Sequence, residues 1–262
     1  MVYGTQGNVE EGYNIKVTVF SRKDIEFIGE AVIEGYIREN MGALRLPIDI
    51  SHFARVHLGL AIEYRKLSDN GRLLGLTAYK DMVLELPFQD GDKTITVQRD
   101  TILLDSSLIP NSNSRRRRFT LAHECAHQIL RQVHERRTGH SFRKDFTPGN
   151  QYSYRELRTA EEWSEWQANA LGAVLLMPGA HLIPQLVSGY GPHEFSLYGT
   201  RFNRRDYKRL KELSDVFNIS MMAMAIRLNT LGFIVHKPRT EYAEWLDIVA
   251  DSKRHEEHVN EA

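Results

Sequence analysis

Arg118-Phe119-Thr120-Leu121-Ala122-His123-Glu124-Cys125-Ala126-His127 is the stretch on which the reading of this chain turns. It places His-Glu-x-x-His inside a run of good helix formers. A helix turns by about 100° per residue, so His123 and His127 leave nearly the same face one turn apart. Two imidazoles so placed can grip one Zn²⁺, with Glu124 beside them as a candidate base. Ala122, Ala126, Ile129 and Val133 repeat at helical spacing and mark a buried stripe. The two histidines lie at the edge of that stripe, where ligands lining a cleft belong. The plain alternative is a pair of surface histidines brought together by chance.

A catalytic zinc needs a third protein ligand and leaves a fourth position to water. Further along, Thr159-Ala160-Glu161-Glu162-Trp163-Ser164-Glu165-Trp166-Gln167-Ala168-Asn169 offers three carboxylates. Thr159 and Glu162 have capping-box spacing, which assigns Glu162 to the helix N-terminus. Glu161 sits in the same first turn, where it favours the helix dipole and faces solvent. Glu165 lies one turn further in, ahead of the small residues Ala168 and Ala170 that permit another helix to approach. It is the carboxylate expected on the metal, against the alternative of an ordinary surface glutamate. Asn169, four residues on, could hold Glu165 or a histidine by a hydrogen bond, or could simply pack the helix. Cys125 lies about 200° around the helix from either histidine and reads as a small buried apolar residue. The run Arg115-Arg116-Arg117-Arg118 reads as a solvated face rather than a phosphate contact.

Lysine plus arginine and aspartate plus glutamate each number 34 in the 262 residues, so the formal charge is zero and nothing suggests a polyanion partner. The single cysteine excludes an intramolecular disulfide and fits a reducing compartment. The first residues lack the basic start and apolar block of a secretory signal. No run approaches the roughly 20 apolar residues that span a bilayer. The chain reads as soluble and cytoplasmic, with no membrane partner.

Residues 1–20 read as an N-terminal extension, with a weak strand signal in the alternation of Ile15, Val17 and Val19. Ser21 caps a helix whose apolar positions are Ile25, Ile28, Ala31, Val32 and Ile37. A short helix near Asp49 buries Phe53, Ala54 and Leu58 and stops at Gly59. Between about 60 and 106, five short apolar runs separated by turn residues predict a small meandering sheet. They are 60–64, 73–78, 82–86, 94–97 and 101–104. Helices are expected over about 115–135 and 160–176, the second ended by Met177-Pro178-Gly179, with a polar loop at 136–158. The metal-binding domain therefore spans 21–179. Residues 180–238 are expected to form a helical C-terminal subdomain, with helices near 205–217 and 220–231, and 239–262 a charged tail. The class is α+β: a small twisted sheet packed on an active-site helix, then a mainly helical region.

With both segments in view, the chain resembles the ImmA/IrrE family of zinc metallopeptidases. The family pattern is an Arg-Phe-Thr lead-in to His-Glu-x-x-His, then Glu-x-x-Ala-Asn and a Leu-Met-Pro ending. Here these are Arg118-Phe119-Thr120, the span from His123 to His127, the span from Glu165 to Asn169, and Leu176-Met177-Pro178. Weaker likeness at the Ser21 helix, Leu46-Pro47-Ile48-Asp49 and Val216-Phe217-Asn218-Ile219-Ser220 extends it over about 20–235. Cys125-Ala126 stands where Leu-Gly is commoner. The long interval before Glu165 makes residues 136–158 look like an insertion at the active-site rim. The resemblance implies a zincin-like fold, His123, His127 and Glu165 as zinc ligands, and Glu124 as the catalytic glutamate. It also implies zinc-dependent, site-specific cleavage of a helix-turn-helix repressor, in bacterial regulation and frequently on a mobile element. Oxyanion help beyond zinc would come from His134, His140, Tyr152 or Tyr154.

The competing class is a zinc-containing transcriptional regulator, because residues 207–230 have the look of a helix-turn-helix around Phe217-Asn218-Ile219-Ser220. Met221, Met222 and Met224 crowd the start of the would-be recognition helix, where Arg, Gln or Asn would read bases. A packing role is therefore expected for this pair, and direct nucleic-acid binding is not. A third reading is a zinc protein that signals by binding, with little protease activity.

Overall fold

A computed structural model of the chain describes residues 19–40, 45–86, 88–89, 91, 93–138, 159–187 and 194–242. Most of the expected strand at 15–19, most of the 136–158 loop and most of the charged tail fall outside these residues.

Helix α1, Arg22–Asn40, starts where the side chains at its entrance satisfy each other's backbone. Asp24 N–H donates to Ser21 Oγ at 3.2 Å, and Ser21 N–H donates to Asp24 Oδ2 at 2.9 Å. Helix α2, Ile50–His52, is capped by Asp49, whose Oδ1 accepts from the Ser51 and His52 N–H groups at 3.0 Å each. It runs on into a π-helical turn, Phe53–His57, and the chain leaves at Gly59 with φ +70°.

All five expected strands form, as β1 Ala61–Arg65, β2 Gly75–Ala78, β3 Met82–Leu86, β4 Lys93–Val97 and β5 Thr101–Asp105. They do not form one meander. β5 sits between β1 and β2, parallel to β1 and antiparallel to β2, while β3 and β4 pair as a separate antiparallel hairpin. The reason lies in β5, which is buried along its whole length. Ile102 and Leu104 join the main core, whereas Leu103 joins a second cluster with Leu67, Ala78, Leu86 and Val97. A strand covered on both faces belongs in the middle of its sheet.

Helix α3, Ser114–Thr138, packs on the main-core side of this sheet and crosses helix α4, Ala160–Leu176. The crossing is close at Gly172, where a Cβ would lie 3.2 Å from the His123 backbone nitrogen. Thr159 and Glu162 form the expected capping box at the start of α4.

The C-terminal region is mainly helical, with α5 Gly179–Val187, α6 Arg204–Val216 and α7 Met221–Thr230. It also carries three short strands that the pattern did not reveal: β6 Phe195–Tyr198, β7 Arg201–Phe202 and β8 Ile234–Lys237, in the order β7-β6-β8. Phe195, Leu210, Leu213, Phe217, Met224 and Leu228 belong to the same buried cluster as α1, α3 and α4. Helix α7 turns Met224, Arg227 and Leu228 inward and leaves Met222 and Ile226 exposed. Among the described residues, no helix is long and apolar enough to cross a membrane.

Candidate metal centre

The crossing of α3 and α4 brings His123, His127 and Glu165 together, all buried. His123 Nε2 and His127 Nε2 are 3.1 Å apart. His123 Nε2 lies 3.3 Å from Glu165 Oε2, and His127 Nε2 lies 3.3 Å from Glu165 Oε1. Three side chains thus converge, one ligand atom from each within 4.8 Å of the others, and these residues could hold a metal ion. Of the three carboxylates in the second segment, Glu162 is occupied by its capping box and Glu165 reaches the histidines. The side chain of Glu161 lies outside the described residues.

Asn169 Oδ1 is 3.0 Å from His123 Nδ1. An amide oxygen only accepts, so Nδ1 carries a ring hydrogen and Nε2 is left as the nitrogen a metal would take. Asn169→Ala should therefore lower metal affinity by about 10–100-fold. Chelator competition measures it, and an unchanged dissociation constant would leave Asn169 as a packing residue only.

Glu124 is buried, and its Oε1 has no hydrogen-bond partner among the described residues. Burial pushes its pKa up to about 8; the nearby His123 opposes the rise and the Glu165 charge adds to it. Burial would raise Glu165 too, but hydrogen bonds and charge from His123 and His127 together outweigh it and pull Glu165 down to about 2. One carboxylate is held as an anion among the imidazoles, and the other favours its protonated form in the metal-free chain. Cys125 is fully buried, with its thiol pushed up by desolvation and then by Glu124. It lies outside the cluster, as the helix geometry required.

Strand β2 runs along α3 in the same direction as the helix. A Cβ on Gly75 would lie 2.6 Å from Glu124 Oε1 and 2.8 Å from Thr120 Cγ2, so strand and carboxylate touch only because the residue is glycine. Gln128 Nε2 donates to Thr77 Oγ1 at 2.7 Å and to the Ala78 carbonyl at 3.3 Å. Arg131 then lies over the Tyr79 ring, 5.1 Å from its centre. None of these strand residues was singled out from the sequence. A glycine inside an apolar strand run was the available signal of close approach. Gly75→Ala should displace Glu124 or the strand and cut turnover at least 10-fold, on the order of what misplacing a catalytic group costs. Wild-type turnover in a folded variant would show that the contact yields.

Of the expected oxyanion helpers, His134 is buried on α3 two turns beyond His127, while His140, Tyr152 and Tyr154 lie outside the described residues. The arginine run is not a uniformly solvated face. Arg117 Nη1 donates to the carbonyls of Leu108 and Ile109 at 3.1 and 2.6 Å, and Arg115 pairs with Asp215 on α6. Arg118 buries Nε and Nη2 without a hydrogen bond to a described residue.

No curated protein is similar enough to this chain to serve as a relative. The family of IrrE N-terminal-like domains, peptidase family M78, matches residues 82–229, more than half of the 262. That span takes in both histidines, Glu124 and Glu165, together with α3, α4 and the C-terminal helices. On that match, joined to a His-His-Glu cluster built across two helices, the chain belongs to the ImmA/IrrE family of metallopeptidases.

Proposed function

We propose that the protein is a zinc-dependent endopeptidase that cuts a regulatory protein, with His123, His127 and Glu165 holding the metal and Glu124 moving the proton. The observation that carries this reading is the spacing of the three donors. A tetrahedral zinc with bonds of about 2.0–2.1 Å separates its ligand atoms by roughly 3.3–3.4 Å. Here the two imidazole nitrogens stand 3.1 Å apart, and each lies 3.3 Å from its own oxygen of Glu165, so the carboxylate straddles the pair at that spacing. Two imidazoles and a carboxylate are also a donor set of catalytic zinc sites that leave one position open.

When bound, zinc supplies Lewis acidity, acidifying a water molecule and polarising the scissile carbonyl. Glu124 takes the proton of the attacking water and returns it to the leaving amine. A cation held by the histidines and Glu165 would favour the ionised form of Glu124, the form that can take a proton. Asn169 keeps His123 in the tautomer a metal requires. β2 is an edge strand among the described residues, and an extended peptide added to that edge would lie across Gly75 beside Glu124. Family membership supports a helix-turn-helix repressor as the substrate.

The test is cleavage of the helix-turn-helix repressor encoded nearest to this gene. Zinc-loaded protein should yield one pair of fragments, and a chelator should abolish them. No cleavage by zinc-replete protein, together with salt-dependent binding of upstream DNA, would overturn the reading in favour of a regulator.

A further inference from the structure

A peptide carbonyl under attack gathers negative charge on its oxygen. A preorganised hydrogen-bond donor aimed at that oxygen typically accounts for on the order of 10²–10³ in kcat. Such a donor must lie outside the ligand set, stay protonated and be fixed in place. Tyr79 meets all three requirements.

Its place follows from the register of β2 on α3. As the chain advances from Gly75 in β2 to Tyr79 just past its end, its neighbours on the helix advance from Thr120 and Glu124, through Gln128, to Arg131. Tyr79 therefore lies on the same flank of α3 as Glu124, about two turns further along. The phenol is raised above its ordinary pKa by burial first, then by the charge of Glu124, with Glu165 adding to it and Arg131 opposing. Both site carboxylates thus act on the ring, and the hydroxyl keeps its hydrogen across the working pH range. Gln128 pins the two preceding strand residues, and the Arg131 guanidinium covers the ring. Among the described residues, nothing accepts a hydrogen bond from the Tyr79 hydroxyl. Of the other candidate donors, only His134 lies among the described residues, and it already makes contacts of its own.

We infer that Tyr79 is a catalytic residue of the proposed peptidase, its hydroxyl donating a hydrogen bond to the substrate carbonyl oxygen as negative charge develops there. The inference rests on the metallopeptidase reading above. The register of the edge strand, more than the phenol's acidity, selects this tyrosine.

Acetohydroxamate tests it, because its carbonyl oxygen occupies a metallopeptidase centre without needing a particular peptide sequence. Zinc-loaded wild-type protein and Tyr79→Phe are compared by calorimetric titration, with zinc content and Tm recorded for both. The variant should keep its zinc and its Tm and bind acetohydroxamate about 10-fold more weakly, the loss expected for one hydrogen bond to a charged group. Replacement of Tyr79 by 3,5-difluorotyrosine, an isosteric and stronger donor, should tighten binding; a merely structural ring would not do so. This second variant also serves if Tyr79→Phe fails to fold. Wild-type affinity in both variants overturns the inference and leaves the metallopeptidase reading standing. Failure of the zinc-loaded wild type to bind acetohydroxamate overturns both.

Discussion

Glu124→Gln should leave the bound metal of the protein unchanged and lower kcat by on the order of 10²–10⁴-fold, the usual contribution of a positioned general base. The substitution preserves shape, so the contact across Gly75 and the packing of α3 survive. What disappears is, among the described residues, the carboxylate beside the cluster that the histidines do not hold. Glu165 cannot stand in for it, because His123 and His127 keep that carboxylate anionic. Wild-type turnover in the Gln variant would remove Glu124 from the mechanism.

The same variant carries a second expected result in metal-free protein. The folded-state pKa of Glu124 is about 8, above its ordinary 4.5, so between these values the folded chain binds a proton that the unfolded chain has lost. Stability from this group is then fully present below about pH 4.5 and is lost as pH rises toward 8. Glu165 runs the other way: its contribution is present above 4.5 and is lost only as pH falls toward 2. Between pH 5 and 8, Glu124 alone of the two gives a slope. Thermal unfolding in excess chelator should show Glu124→Gln melting several degrees above wild type at pH 8, with the gap closing by pH 5. A gap that does not change with pH would mean Glu124 is not protonated in the folded apoprotein.

Much of this site was legible because its parts are local. The i, i+4 spacing of His123 and His127 and the capping box at Thr159 and Glu162 are each written within one turn of helix. Removing Glu162 from contention pointed to Glu165, and the structure brings that residue, not Glu162, to the histidines. Tyr79, Gly75 and Gln128 were not legible, because their relation to Glu124 exists only once β2 lies on α3. The order β1-β5-β2 was hidden for a related reason. Five strands in a row suggest a meander, and only the two-sided burial of Ile102, Leu103 and Leu104 moves β5 to the centre. Strands β6 to β8 have four residues or fewer, too short for alternation to mark them.

The other large effect concerns assembly rather than chemistry. Arg227 of α7 is 3% exposed and forks onto Glu26 of α1, Nη1 donating to Oε2 at 2.7 Å and Nη2 to Oε1. Its Nε donates to the Met177 carbonyl at 3.0 Å, just past the end of α4. One guanidinium thus ties together the first helix, the helix bearing Glu165 and the C-terminal pair. Breaking a fully buried ion pair costs about 3–5 kcal/mol, mostly through the charge left behind. The Glu26 side chain is 31% exposed and keeps some hydration, so the cost of Arg227→Met should be nearer 2–3 kcal/mol, or roughly 4–12 °C in Tm for a domain of this size. The double variant Glu26→Leu with Arg227→Met should recover much of that loss, because it removes the stranded charge along with its partner. Metal stoichiometry should be unchanged in both, since neither residue touches the histidines or Glu165. A loss below about 0.5 kcal/mol in Arg227→Met, the range of ordinary surface substitutions, would show that apolar packing alone holds α7 on α1.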